Sequence, residues 1–274
     1  MLKAIESTTK SKTGDERGNH DGLVVNGSYI AVIDAYQARG YRGWNGKPAG
    51  IFAKDIICST LENLVGGAEA QEVFRTLEEK LQEETAKAMA EMKDSQVYAY
   101  PMARVLVYSA DKRQIWRLGD SPFVVDGELN FEQSDAIKAM IAKRAEVTEK
   151  FLANDRTDLK DLVNNDYGRT SIMEDLVAEE RRVDGVECLS GRADVDMDVL
   201  LSNVEVFQLE PDQEVILASD GYPRLLPTLD ECEDWLAAER ARDPLFIHDY
   251  QAIRTAKDEE ANYDDRTYVR FVTD

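Results

Sequence analysis

Four aspartates in this 274-residue chain share one setting. Asp34 ends the apolar run Ile30–Ile33 in YIAVIDA, and Asp220 ends a second such run in VILASDG. Asp120 follows a strand-like segment in RLGDS, and Asp264 precedes another in YDDRTYVRF. Carboxylates at strand ends can converge on one edge of a sheet. Gathered there, they repel one another and rise in pKa unless a cation sits among them. Hard oxygen donors of this kind, completed by waters, suit Mg2+ or Mn2+. A single Asp in such a place is ordinarily a turn or strand-end cap. Four in matching contexts ask for a common cause.

Other chemistries are poorly supplied. The cysteines Cys58, Cys188 and Cys232 are widely spaced and form no CxxC pair, which disfavours thiolate zinc and dithiol redox chemistry. There is no HExxH and no GxSxG, and the only histidines are His20 and His248, too few to make a Ser-His-Asp triad an attractive reading. GYRGWNGKP is not a phosphate-cradling loop, because Tyr41 stands where Gly is needed and Pro48 follows Lys47 in place of Ser or Thr.

The elements that must position these residues read as α+β. GLVVNGSYIAVI (22–33) predicts a hairpin with Asn26-Gly27 as a type I′ turn, its second strand buried on both faces. Residues 2–7 read as an edge strand. Apolar spacing predicts a helix from Phe52 to Leu64 and another over 68–93, separated by Gly66-Gly67. Strands follow at 97–109, 113–118 and 122–125, with turns at Asp111-Lys112 and Asp126-Gly127. Residues 132–182 read as a charged helical insertion. Strands at 204–209 and 214–218 come next, then a helix at 229–242 opened by a Thr228/Glu231 capping box. A last helix over 244–257 and a strand at 267–272 complete the chain. This order lacks the regular βαβ alternation of a parallel sheet.

Composition narrows the partners. There are 33 Lys and Arg against 54 Asp and Glu, a net charge of −21, which argues against a nucleic-acid partner. Eight cations against six acids leave residues 1–57 at +2, so basic side chains near the N-terminus are candidates to face an anionic ligand. The other reading of this asymmetry is simply solvated acidic helices elsewhere. No stretch reaches the ~20 apolar residues that span a bilayer, and the first residues carry no apolar signal core. The expectation is a cytoplasmic protein with reduced thiols and no membrane partner.

In chain order, GNHD at 18–21, AVIDA at 31–35, LGDS at 118–121, ASDG at 218–221 and DDRT at 264–267 resemble the metal-dependent protein phosphatases, the PPM or type 2C family. SDGYPRLLP followed by DDRT is similar to a divergent bacterial branch. The likeness spans about residues 18–270. It implies a single domain over 1–274, a central antiparallel β-sandwich flanked on both faces by helix pairs (four layers, αββα). It implies a phosphoserine/phosphothreonine protein phosphatase with a binuclear Mn2+ or Mg2+ centre, and a third ion in some members. A metal-bound hydroxide would attack phosphorus in line, with no phosphoenzyme. By motif position Asp34 would bridge two ions, the Ala35 carbonyl would ligate one, and Asp220 and Asp264 would hold the other. Asp120 with Asp220 matches the third site, and Asp21 the family's second carboxylate.

Departures from the pattern keep two alternatives open: a catalytically weak or inactive pseudophosphatase module, and a hydrolase of small phosphoesters. His20 stands where the family has Glu. It is readable as a metal ligand, as a hydrogen-bond partner of a metal water or the phosphate, or as a loop histidine. Ala35 replaces a Gly, YQARG lacks the usual Gly-rich pattern, and YPMA (100–103) lacks the usual Gly-Ser/Thr. Arg17 lies one position out of register with the family's phosphate-binding arginine. Arg39, Arg42 and Lys47 are alternatives for that role, or each is an exposed surface cation. The insertion at 132–182 is the expected specificity element.

Overall fold

A computed structural model describes residues 4–37, 44–91, 100–154 and 157–274. Ten strands form two antiparallel five-stranded sheets. One contains β2 (Asp21–Val25), β3 (Tyr29–Ala35), β4 (Ala103–Ser109), β5 (Gln114–Leu118) and β8 (Glu205–Gln208), in that spatial order. The other runs β1 (Glu6–Lys10), β10 (Arg266–Val272), β9 (Glu214–Ala218), β6 (Phe123–Val125) and β7 (Glu128–Asn130).

The alternation of side chains along β3 explains how the sheets stack. Ile30 and Val32 point between the sheets, where they meet Leu106, Tyr108, Leu217, Val269 and Phe271. Ala31 and Ile33 face outward and pack under helices α1 (Ala49–Asn63) and α2 (Ala70–Glu91) through Ala53, Ile57, Phe74 and Leu77. Both faces of this strand are therefore dry, as its unbroken apolar run requires. Each large side chain so buried contributes roughly 1.5–3 kcal/mol of transfer free energy.

The second sheet is covered by α8 (Leu229–Arg242), whose Cys232 packs on Ile216, Ala218 and Tyr268. The Thr228/Glu231 capping box opens α8 as expected. The insertion is helical: α3 (Asp135–Leu152), α4 (Leu159–Asn164), α5 (Tyr167–Ser171) and α6 (Met173–Val183). A further short helix, α7 (Met197–Ser202), follows it.

Three local expectations are corrected. Residues 244–257 form no helix, so α8 has no helical partner in that stretch. The Asp243 carboxylate gathers the backbone N–H groups of Leu245, Ile247 and His248 into a turn, and Phe246 adopts a left-handed φ of 51°. The edge strand expected over 2–7 spans Glu6–Lys10, set by its pairing with Arg270–Arg266, and residues 2–3 lie outside the described residues. The hairpin turn after β2 has neither Asn26 nor Gly27 at positive φ. The Asn26 side chain instead accepts from the N–H groups of Ser28 and Tyr29 and closes the turn. The expected strand residues 97–99 lie outside the described residues.

Candidate metal and phosphate site

The two sheets end together at one rim, and the acidic residues meet there. Register sets the first three groups abreast: Asp21 on β2 pairs with Asp34 on β3, and Asp34 pairs with Arg104 on β4. Asp34 continues the inward-facing series Ile30, Val32, and Arg104 precedes Leu106 and Tyr108 in the same way. Asp120 follows β5. From the opposing sheet come Asp220, just after β9, and Asp264 with Asp265, just before β10.

Gly221 is what lets those last two segments touch. A Cβ there would collide with the Asp265 carbonyl and stand 2.6 Å from the Arg266 Cβ. The SDG and DDRT segments thus cross at a position where only hydrogen fits. Ser219, one residue before Asp220, donates its hydroxyl to Asp21 and accepts the Thr267 N–H at 2.9 Å, stitching the two sheets together behind the carboxylates.

These residues line a cavity of about 330 Å3 together with Ala35, Tyr36, Lys12, Arg254 and Tyr250. The insertion supplies another wall, through Ile137, Ile141, Arg169, Leu176, Glu179 and Val183. Mutual repulsion is visible in the acidities. Burial, with the Asp120 and Asp264 charges adding to it and Arg104 opposing it, lifts Asp34 to about 6. The Asp34 charge, then burial, pushes Asp220 well above the ordinary carboxylate range. Burial, then Asp34, does the same to Asp21 despite the Ser219 hydroxyl. One oxygen of Asp34, Oδ2, is buried with no hydrogen-bond donor.

Arg104 is the residue that sequence reasoning missed. Its Nε lies 2.9 Å from Asp120 Oδ1, and its Nη1 lies 3.9 Å from Asp34 Oδ2 and 3.8 Å from Asp220 Oδ2. The carboxylates surround this guanidinium. Among the described residues, no three or more His, Cys, Asp or Glu side chains stand in a metal-ligating arrangement. The signal available was a charged residue at an inward position of an otherwise apolar strand, ARVLVYS. Asp264 is turned to other cations: Arg254 Nη1 at 3.1 Å and Lys12 Nζ at 3.9 Å. Lys12, one of the cations of residues 1–57, lines the cavity.

Two expected contributors are placed elsewhere. His20 does not line the cavity. Its Nδ1 is 3.0 Å from Asp265 Oδ2, and the pair is buried. Burial alone would raise Asp265, but hydrogen bonds from His20 and the Lys12 N–H hold its carboxyl below the ordinary value. The second Asp of DDRT is therefore the partner that draws His20 away. Arg17 also misses the cavity: its side chain is 90 % exposed and forms an ion pair with Asp15 at 2.7 Å, in the short helical turn Glu16–Gly18. Arg39 and Arg42 lie outside the described residues.

No protein-family model and no curated protein matches the sequence. Solved structures do. The serine/threonine phosphatase Stp1 from Staphylococcus aureus superposes with a TM-score of 0.50 at 13 % identity, covering 100 % of this chain and 96 % of that one. The serine/threonine phosphatase PstP/Ppp of Mycobacterium tuberculosis gives a TM-score of 0.49 at 14 % identity, over 98 % and 97 % of the two chains. The paired five-stranded sheets, the covering helices and the full-length superposition on Stp1 agree: the chain has the fold of the metal-dependent protein phosphatases.

Proposed function

We propose that this chain is a divalent-metal-dependent phosphomonoesterase acting on phosphoserine and phosphothreonine in proteins. The observation that carries the reading is the convergence of Asp21, Asp34, Asp120, Asp220 and Asp264 on one cavity at the end of the sandwich. Three of these carboxyls, Asp21, Asp34 and Asp220, are held less acidic than an ordinary carboxyl, and Asp34 Oδ2 is buried without a donor. A donor set made of oxygens, in excess of the local positive charge, fits Mn2+ or Mg2+. The fold neighbour Stp1 is a serine/threonine phosphatase.

Asp34, Asp220 and Asp264 would hold the metal, with the Ala35 carbonyl beside Asp34. When bound, the ion would supply Lewis-acid stabilisation of the phosphoryl oxygens and a more acidic water at neutral pH. The chain's own groups do the rest. Asp21, held in place by the Ser219 hydroxyl, adds a further carboxyl beside Asp34, one that would ionise more readily with a cation bound there. Lys12 and Arg254 place positive charge beside Asp264, where a phosphate dianion entering the cavity meets it. The apolar side chains of the insertion, Ile137, Ile141 and Leu176, exclude water from the opposite wall. The overall reaction takes one water and returns an alcohol and inorganic phosphate. The soluble, cytoplasmic setting belongs to the same proposal; among the described residues no helix is long and apolar enough to cross a membrane.

The pairing of His20 with Asp265 and the guanidinium among the carboxylates favour one second reading, a module that binds phosphorylated partners without hydrolysing them. One experiment separates the two. Hydrolysis of p-nitrophenyl phosphate and of a phosphothreonine peptide is followed in EDTA, Mg2+ and Mn2+, for wild type, Asp34→Ala and Asp220→Ala. Turnover that needs metal and is lost in both variants supports the enzyme. Folded wild type that is silent with every metal supports the binding module. Turnover of the small ester alone would move the substrate from proteins to small phosphoesters.

A further inference from the structure

We infer that Arg104 is a resident counter-cation of the carboxylate centre. It fills the position between Asp120, Asp34 and Asp220 that a further divalent ion would need, so the centre takes up fewer ions, or holds them less tightly, than its acidic residues alone would allow. This inference rests on the metal-dependent reading above and concerns how that site is loaded.

The chain is shaped around this side chain on three sides. The β3–β4 register sets Arg104 opposite Asp34. Gly119, at φ 104°, leaves room for the aliphatic stem: a Cβ there would stand 2.6 Å from Arg104 Cγ and 2.9 Å from its Cβ. The guanidinium lies over the Tyr36 ring, 4.8 Å from its centroid. Only 17 % of the side chain is exposed. An arginine wandering in from the surface would have neither the cleared stem nor the stacked ring.

Charge then decides the outcome. The guanidinium lies within 4 Å of one oxygen on each of three carboxylates. A dication between Asp120 and Asp220 would meet a fixed positive charge already 2.9 Å from an oxygen of the first and 3.8 Å from an oxygen of the second, close enough for the repulsion to persist beside the exposed Asp220 side chain. In its place the guanidinium neutralises part of the cluster and keeps the rim assembled when no metal is bound. An ion held by Asp264 would compete with Arg104 for Asp34 and Asp220.

The test uses the full chain, stripped with EDTA, as wild type, Arg104→Ala, Arg104→Met and Arg104→Lys. Mn2+ binding is measured by titration calorimetry and by counting bound metal after dialysis, and unfolding is followed by circular dichroism. Expected are at least ten-fold tighter Mn2+ binding or an added equivalent in the Ala and Met variants, with wild-type behaviour in Lys. The Ala and Met proteins should also melt lower than wild type in EDTA and recover with Mn2+. Wild-type affinity and stoichiometry in both neutral variants overturns the role of Arg104 alone. Absence of Mn2+ uptake by wild type and all variants overturns the metal reading as well. Neutral variants that stay unfolded in excess Mn2+ refute the claim that guanidinium and ion are interchangeable.

Discussion

Asp34→Asn should make the metal-free protein more stable while removing its response to metal. Asp34 titrates at about 6 in the folded chain against 3.8 for the unreacted side chain, and Arg104 is already included in that balance. A folded pKa above the unfolded one means the native state holds the proton longer. Stability is then lost as pH rises from the unfolded pKa through the folded one. Linkage makes the loss small at pH 4, roughly half complete at pH 5 and on the order of 3 kcal/mol by pH 7. Asn avoids this loss. In EDTA the variant should therefore exceed wild type by up to about 3 kcal/mol at pH 7, roughly 5 °C for a chain of this size, and by much less at pH 4. Saturating Mn2+ should reverse the order, because wild type gains ligation energy that the amide does not. Urea unfolding at pH 4, 5 and 7, with EDTA or Mn2+, measures both halves. A variant less stable than wild type in EDTA at pH 7 refutes the claim that Asp34 is held ionised against its environment.

Arg17→Ala should leave both KM and kcat for p-nitrophenyl phosphate unchanged, since Arg17 is exposed and paired only with Asp15; a raised KM would return it to the phosphate site. Arg144→Met should cost about 3–5 kcal/mol in urea unfolding, because it strands the largely buried Asp166 and removes the guanidinium that donates to the carbonyls of Leu245 and Ala252. Thr228→Ala should cost about 0.5–2 kcal/mol in the same assay by opening the capping box of α8, with metal binding unaffected.

What the sequence made legible was whatever one segment decides by itself. The β3 run, the α8 box and the 214–218 strand each carry their own periodicity or cap, and they stand where expected. Two Asx-Gly pairs show the boundary of that rule. Asp126-Gly127 has both residues at positive φ, 48° and 84°, closing the β6–β7 hairpin. Asn26-Gly27 does not, because the Asn side chain found backbone N–H groups to hold. The helix expected at 244–257 failed for a local and a distant reason: Asp243 gathers the N–H groups of residues 245, 247 and 248 into a turn, and the carbonyls at 245, 246 and 252 accept from Arg144, about a hundred residues earlier. The site divides the same way. Asp34, Asp120, Asp220 and Asp264 announce themselves at segment ends, whereas Arg104 and the His20–Asp265 pair depend on which strands lie side by side.

The hold that Arg144 keeps on residues 245–252 bears on how this molecule can diversify. That coil leads into Ala252, Ile253 and Arg254 at the cavity mouth, and it is wedged between α8, through Phe246 and Ala252, and the insertion, through Ala145 and Leu162. The carbonyls of Leu245 and Ala252 accept from Arg144 on α3. The segment 132–182 is thus not an accessory that can be exchanged as a cassette while the cavity beside it stays intact. Grafting a different one would release the coil, and the amides of the buried Leu245, Ile247 and Ala252 should then exchange faster. The helical segment and the coil that lines the cavity beside it thus form one cooperative unit.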